Sequence, residues 1–145
     1  MKERFLLKDI LPAAYNAMLG LYKFETTTGI APLHRELIKI RASQINGCAY
    51  CLNKHIIEAR ELGETEQRIY LISVWRDAPQ FSEQERTILA MTEEITFIHQ
   101  KGLTEGTYQK ALEHFGETGT AELLMHIITI NAWNRIGISS HRIPE

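Results

Sequence analysis

Between Ile127 and Ile138, in a helical pattern that begins with Leu123 and Leu124, the chain carries Ile127, Ile128, Ile130, Trp133, Ile136 and Ile138, apolar residues at helical spacing on more than one face. A helix that is apolar on more than one side must be covered on more than one side. It is either central to a core or buried in a subunit interface. No stretch shows convincing strand alternation, so a helical bundle built around buried helices is the expected fold.

The rest of the chain is punctuated to match. Leu11, Ala14, Tyr15, Met18, Leu19 and Tyr22 repeat at helical spacing after Pro12, a residue tolerated in the first turn, and this helix ends by Gly29. Pro32 opens a second helix with Leu33, Leu37, Ile38, Arg41 and Ile45, broken by Asn46-Gly47. A third starts near Cys48 and stops at Gly63. Thr65 caps a fourth, carrying Ile69, Tyr70, Ile72, Ser73 and Trp75, which ends at Asp77-Ala78-Pro79. Ser82-Glu83-Gln84-Glu85 is a capping box for a helix through Ile88, Leu89, Met91, Ile95 and Ile98, closed by Lys101-Gly102. Thr104 caps a short helix through Tyr108, Ala111, Leu112 and Phe115. Gly116 to Gly119 reads as a turn, and the last helix runs from about Thr120 to about Ser140. The expectation is an all-α, compact bundle of six to seven helices in one domain spanning 1–145, with no linker, repeat or low-complexity tract.

Bulk properties narrow the function classes. At 145 residues the chain can bury about two-thirds of its unfolded surface. Its net charge of -2, with positive and negative residues interspersed, shows no basic stripe for nucleic acid. No apolar run approaches a membrane span. At the start, Lys8 and Asp9 interrupt any signal-peptide core, so the cytoplasm is the expected location.

Both cysteines of the chain lie in one motif, Cys48-Ala49-Tyr50-Cys51, with His55 four residues later and Glu36 twelve residues before Cys48. In a helix starting after Gly47, Cys48, Cys51 and His55 share a face. Two thiols and an imidazole are the parts of a dithiol redox centre. A free Cys titrates at about 8.5, so a thiolate at neutral pH needs help. The first turn of a helix offers N–H groups and a favourable dipole, and His55 can accept the Cys51 proton or pair with its thiolate. Glu36, on the preceding helix, can orient His55 or relay its proton, directly or through water. The His spacing favours Cys51 as the attacking thiol, with Cys48 as resolving thiol or proton donor.

Other chemistries fit less well. Zinc needs four ligands, usually from two arms, and the chain has no second CxxC or HxxxH; His34 and Glu36 are the nearest further donors. A c-type haem needs CxxCH, and Leu52 follows Cys51. No metal, flavin or haem is expected. Tyr50, Tyr70, Trp75 and Trp133 read as core before pocket wall, and His126, inside an apolar helix, as a satisfied core or interface histidine. Asn134 and Arg135 suit structural hydrogen bonds as well as an anion or a subunit boundary. His34, His99, His114 and His141 have no partner pattern and read as surface residues.

Glu36-x11-Cys48-x2-Cys51-x3-His55 resembles the signature of the alkylhydroperoxidase AhpD-like proteins within the carboxymuconolactone decarboxylase family. So do the flanking Leu37 to Cys51, Gly63-Glu64-Thr65-Glu66-Gln67-Arg68 and Asn131-Ala132-Trp133-Asn134-Arg135. The likeness runs from about Pro12 to Arg142. It implies an all-helical fold with the CxxC at the start of a central helix, trimers or hexamers, and thiol-dependent peroxidase or disulfide-reductase activity in antioxidant defence. A hydroperoxide is the implied substrate, and a dithiol electron donor or a peroxiredoxin-type protein the implied partner. The resemblance also implies a proton relay of Glu36 and His55, the sulfenic acid on Cys51 and Cys48 as proton donor. One position departs: the better-known members place a second His just before the second Cys, where this chain has Tyr50. A Tyr, with a pKa of about 10, is no base at neutral pH. The lactone decarboxylase branch lacks the CxxC, so the cysteines argue against that reaction. Two rival readings remain: a non-catalytic redox sensor or assembly subunit, and a lactone-processing enzyme with vestigial cysteines.

Overall fold

The computed structural model describes residues 2–144, and among them it contains seven α-helices, one 3₁₀ segment and no strand. The helices are α1 (Leu7–Ile10), α2 (Pro12–Glu25), α3 (Pro32–Asn46), α4 (Ala49–Glu61), α5 (Glu66–Leu71), α6 (Glu83–Thr96) and α7 (Glu105–Ser140). The 3₁₀ segment, Ile72–Asp77, continues directly from α5.

The boundaries follow the capping chemistry. Pro12 and Pro32 occupy the first turns of α2 and α3, where a missing N–H leaves no bond unmade. Gly47 ends α3 in the left-handed region, φ 73°, which a residue with a Cβ adopts reluctantly. Thr65 and Thr104 accept first-turn N–H groups of α5 and α7, and Ser82 with Glu85 completes the capping box of α6.

Three boundaries differ from the sequence pattern. Helix α6 stops at Thr96 rather than near Lys101. The Glu94 carboxylate accepts the Thr104 N–H (2.8 Å) and hydroxyl (3.1 Å), which draws the connection back onto α6. The fourth predicted helix breaks at Ile72 into the 3₁₀ segment, whose carbonyls at Trp75 and Arg76, with that of Ala78 just beyond, are taken by the Arg86 guanidinium. The predicted turn from Gly116 to Gly119 shrinks to a single break at Gly116 (φ 68°, ψ -178°) within α7. Gly119 makes the tight re-entry possible, since a Cβ there would stand 2.8 Å from Phe115 Cβ. Helix α1 carries no legible signal because it is one turn long.

Helix α3 is the most enclosed element, with Glu36, Leu37, Ile38, Lys39 and Ile40 buried in succession. One of its sides joins α6 and α7 in a cluster of Ile38, Ala42, Ile88, Met91, Leu123, Ile127 and Ile130. Another joins α4, α5 and the 3₁₀ segment through Leu37, Ile40, Ala59, Ile69, Ile72 and Trp75. Each fully buried Leu or Ile is worth about 1.5–3 kcal/mol of transfer free energy. Helix α7 meets only part of the sequence expectation within one chain. Leu123, Ile127 and Ile130 are in the core, while Leu124, Ile128 and Ile138 remain 37%, 42% and 42% exposed. No helix among the described residues is long and apolar enough to cross a membrane.

Candidate active site

The left-handed turn at Gly47 places Cys48 as the N-cap of α4 and Cys51 in its first turn. The two form a disulfide, with their Cα atoms 5.3 Å apart. The Cys51 N–H donates to Cys48 Sγ over 3.3 Å, so the sulfur occupies the place a Ser or Asp oxygen takes in an ordinary cap. Both residues are buried, Cys48 at 2% and Cys51 at 5% exposure.

Helix α7 closes the site from the other side. A Cβ on Gly137 would lie 3.1 Å from Cys48 Sγ and 3.4 Å from Cys51 Sγ, so the missing side chain is what lets the sulfurs pack against the helix. The Trp133 carbonyl oxygen is 4.0 Å from Cys51 Sγ. The turn before Cys48 is pinned to α7 by Asn46 Nδ2, which donates to Asn131 Oδ1 (2.9 Å) and Asn134 Oδ1 (3.0 Å). Asn134 Nδ2 in turn donates to Ser43 Oγ (3.0 Å) on α3. The motif Asn131 to Arg135 thus fixes the turn that carries the cysteines. Arg135 itself faces out and donates to the Asn131 carbonyl.

His55 is buried one turn beyond Cys51. Its Nδ1 lies 3.0 Å from Glu36 Oε2, a direct contact between α4 and α3. The sequence left open whether a water intervenes. The same nitrogen is 2.9 Å from Glu58 Oε2, a residue the sequence reading passed over although His55 and Glu58 stand at i, i+3. Burial by itself opposes charge on His55, but the hydrogen bonds to Glu36 and Glu58 and the Glu36 charge outweigh it and raise its pKa. Glu58 is correspondingly held down to about 2, first by the His55 hydrogen bond, against desolvation, and further by Lys54.

Two lysines complete the charge pattern. Lys39 Nζ, buried, is 3.3 Å from Glu25 Oε2 and 3.4 Å from Glu36 Oε1. Lys54 Nζ is 2.9 Å from Glu58 Oε1. The ligand atoms of Glu36, His55 and Glu58 all lie within 4.8 Å of one another.

Cys51 and His55 line a cavity of about 340 Å³, with Tyr15, Tyr50 and Trp133 among its walls. Leu6, Leu7 and Lys8 contribute from the N-terminal segment. That segment is tied across the end of α7 by Arg4 N–H to the Ser140 carbonyl (3.0 Å) and by Glu3 to Arg142 (2.7 Å). Arg142 also stacks on Tyr50, 4.7 Å from the ring centroid. Tyr50 therefore belongs to the pocket wall, contrary to the core expectation; Trp133 lines the cavity while packing against the core, Trp75 is core and Tyr70 is exposed. A second, more open cavity lies beyond His55, lined by Tyr22, Glu25, Glu36, Lys39 and Glu58.

The remaining histidines divide. His126 is wholly buried, and its Nε2 is hydrogen-bonded to Thr28 Oγ1 (2.8 Å). Its Nδ1 faces Glu25 Oε1 at 3.5 Å without a hydrogen bond, so it is half satisfied rather than satisfied. His34 is not a plain surface residue: burial lowers its pKa against the opposing charge of Glu85. His99 is exposed, and His114 and His141 are partly so.

Residues 12–94 match the model of the carboxymuconolactone decarboxylase family. The chain superposes on a protein of unknown function from Agrobacterium tumefaciens, proposed there as an AhpD antioxidant defence protein, with a TM-score of 0.96. Identity is 34%, over 99% of both chains.

The chain is an AhpD-like member of the carboxymuconolactone decarboxylase family.

An uncharacterized protein of Bacillus subtilis (strain 168), YdfG, is 39% identical over 139 residues, 96% of this chain and 95% of that one. The AhpD core of an uncharacterized peroxidase-related protein from Ralstonia eutropha JMP134 shares the fold, with a TM-score of 0.84 at 17% identity. That match covers 97% of this chain and 75% of the other. The disulfide between Cys48 and Cys51 and the contact of His55 with Glu36 meet at one cavity, which Tyr50 also lines. The Tyr50 ring is covered by the Arg142 guanidinium.

Proposed function

We propose that this chain is a thiol-dependent alkyl hydroperoxidase and disulfide oxidoreductase acting in antioxidant defence. The observation that carries the reading is a buried CxxC pair whose second cysteine lines a cavity beside a His–Glu pair. In the reduced protein the Cys51 thiolate attacks the outer oxygen of a hydroperoxide ROOH. The S–O bond forms as the O–O bond breaks, and the departing alkoxide takes a proton by way of His55 and leaves as ROH. The Cys48 thiol then attacks the sulfenic sulfur of Cys51, the S–S bond forms and water leaves. A dithiol donor, itself oxidised to a disulfide, returns two electrons and two protons.

The placement of the sulfurs supports this order. Cys51 lines the cavity, so a donor thiolate meets it first, and Cys48 is the leaving group. The Cys51 N–H bonded to Cys48 Sγ stabilises the thiolate that leaves, and a better-stabilised leaving thiolate departs faster. The apolar walls of Tyr15, Leu19, Ile130 and Trp133 suit the alkyl part of an organic hydroperoxide. Leu124, Ile128 and Ile138, open on α7, support assembly into a trimer or hexamer, which light scattering measures.

The direct test is hydroperoxide consumption by the reduced protein. Cys51→Ser abolishes it in a folded protein, and Cys48→Ser leaves one turnover that a sulfenic-acid trap captures on Cys51. Reduction of a disulfide substrate with no hydroperoxide consumed removes the peroxidase step and leaves the reductase. An oxidation-dependent change in mass with no turnover of either kind favours a redox sensor. Lactone turnover that survives loss of both thiols favours the decarboxylase reading.

A further inference from the structure

The pair of Glu36 and His55 leaves one carboxylate at this site without a task. Glu58 Oε2 and Glu36 Oε2 approach the same nitrogen, His55 Nδ1, at 2.9 Å and 3.0 Å, one from α4 and the other from α3. Two acceptors around one ring nitrogen require a hydrogen on it, because a lone pair there would face oxygen lone pairs on both sides. Nδ1 is therefore protonated in either charge state of the ring. Nε2 is then the atom that gains or loses the exchangeable proton, and His55 lines the same cavity as Cys51.

The spacing of the three groups also suits a small cation. Their outer oxygens oppose it: Glu36 Oε1 is on Lys39 and Glu58 Oε1 is on Lys54. Two ammonium groups against the carboxylates repel a divalent ion and tolerate a delocalised imidazolium far better. The charges around His55 are Glu36 and Lys39 from α3, Lys54, Glu58 and Cys51 from α4, and Glu25 from α2 acting through Lys39. The same cavity also receives the charged Lys8 and Arg142 and the phenols of Tyr15, Tyr22 and Tyr50, while the residues that α7 gives it are uncharged.

We propose that Glu58 is a positioning residue of the dithiol site: with Glu36 it fixes the Nδ1–H form of His55 and holds a proton on Nε2. Reduced Cys51 then stands beside an imidazolium and not a neutral base. The assignment rests on the thiol-enzyme reading above and adds a residue to it. The imidazolium stabilises the Cys51 thiolate, and its Nε2 proton is the one delivered to the departing alkoxide. The ring regains a proton from the Cys48 thiol and passes it to the hydroxide expelled from the sulfenic acid, which leaves as water. The donor dithiol's two protons restore His55 and Cys48.

The experiment follows His55 by ring carbon–proton NMR through a pH titration of the reduced protein. Wild type, Glu58→Gln, Glu58→Asp and Lys54→Met are compared, each checked for fold by circular dichroism. Glu58→Gln is expected to titrate at lower pH, Glu58→Asp to stay close to wild type, and Lys54→Met to move the opposite way. The alkaline limb of kcat/KM moves to lower pH in Glu58→Gln, with a loss of about tenfold at the alkaline end and little change at the acid end. A folded Glu58→Gln protein whose His55 titrates as in wild type overturns the proposal. So does Lys54→Met giving the same shift as Glu58→Gln, since Glu58 would then act only by placing Lys54. A wild-type protein without thiol turnover overturns the enzyme reading, and the titration separates that failure from this one.

Discussion

His55 and Glu58 titrate in opposite directions, and their linkage to folding has a definite sign. A His whose pKa is raised by folding adds stability that is complete below its unfolded value, 6.5, and is lost as pH rises through the folded one. A Glu whose pKa is lowered adds stability that is complete above 4.5 and is lost as pH falls through about 2. The pair therefore stabilises the fold most between pH 4.5 and 6.5. Thermal unfolding of wild type and Glu58→Gln across pH 4 to 9 is expected to show its widest gap in that window. The gap narrows toward the alkaline end, and a constant gap counts against the coupling. At the same scale, Arg142 joins Tyr50 to Glu3 and so holds the N-terminal segment over the cavity. Arg142→Ala is expected to speed disulfide reduction by a bulky dithiol more than by a small one, measured as a ratio of rates.

Glycine has opposite meanings in α2 and α7. Gly20 is exposed in α2, and a Cβ there meets nothing within 4 Å. Gly20→Ala is expected to stabilise by about 0.5–1 kcal/mol, through backbone entropy alone. Gly137→Ala brings the same helical gain but sets a methyl at 3.1 Å from Cys48 Sγ. It is expected to give no gain or a net loss, and to slow disulfide formation; chemical denaturation with and without reductant reads both. Periodicity and caps made the elements legible, and Pro32, Gly47, Thr65, Ser82 and Thr104 mark ends that the structure keeps. They failed where a distant side chain intervened. Glu94 shortens the run after Thr96, and Arg86 turns the end of the fourth helix into a 3₁₀ segment. Neither contact leaves a local signal in the residues it alters.

At the scale of the molecule, α3 stands between two apolar clusters and also carries the charged residues Glu36 and Lys39 into the interior. Those charges are tolerated because they are paired into a chain running from Glu25 through Lys39 and Glu36 to His55 and Glu58. The packing of α7 on α3 holds the cysteine turn through Asn131 and Asn134. Ile127→Ala, at the centre of that packing, is expected to cost about 2–5 kcal/mol in denaturant unfolding. It should also loosen the site that α7 closes.

What the sequence determined by itself is whatever depends on neighbours along the chain. The all-helical class follows from period and caps, and the dithiol motif from Cys48, Cys51 and His55 at one-turn intervals. Glu36 was reachable only through the resemblance that its spacing from Cys48 carries, since alone it reads as a solvated helix charge. Tertiary structure alone decided what stands opposite. It set Gly137 against the sulfurs, Tyr50 and Trp133 in the cavity wall, and Glu25 and Lys39 behind Glu36. Glu58 lies between the two cases: its spacing from His55 was visible, but a surface partner at i+3 and a second carboxylate on a buried ring look alike in sequence. Burial separates them, and burial arises from how α3, α4 and α7 pack, not from the order of residues in any one helix.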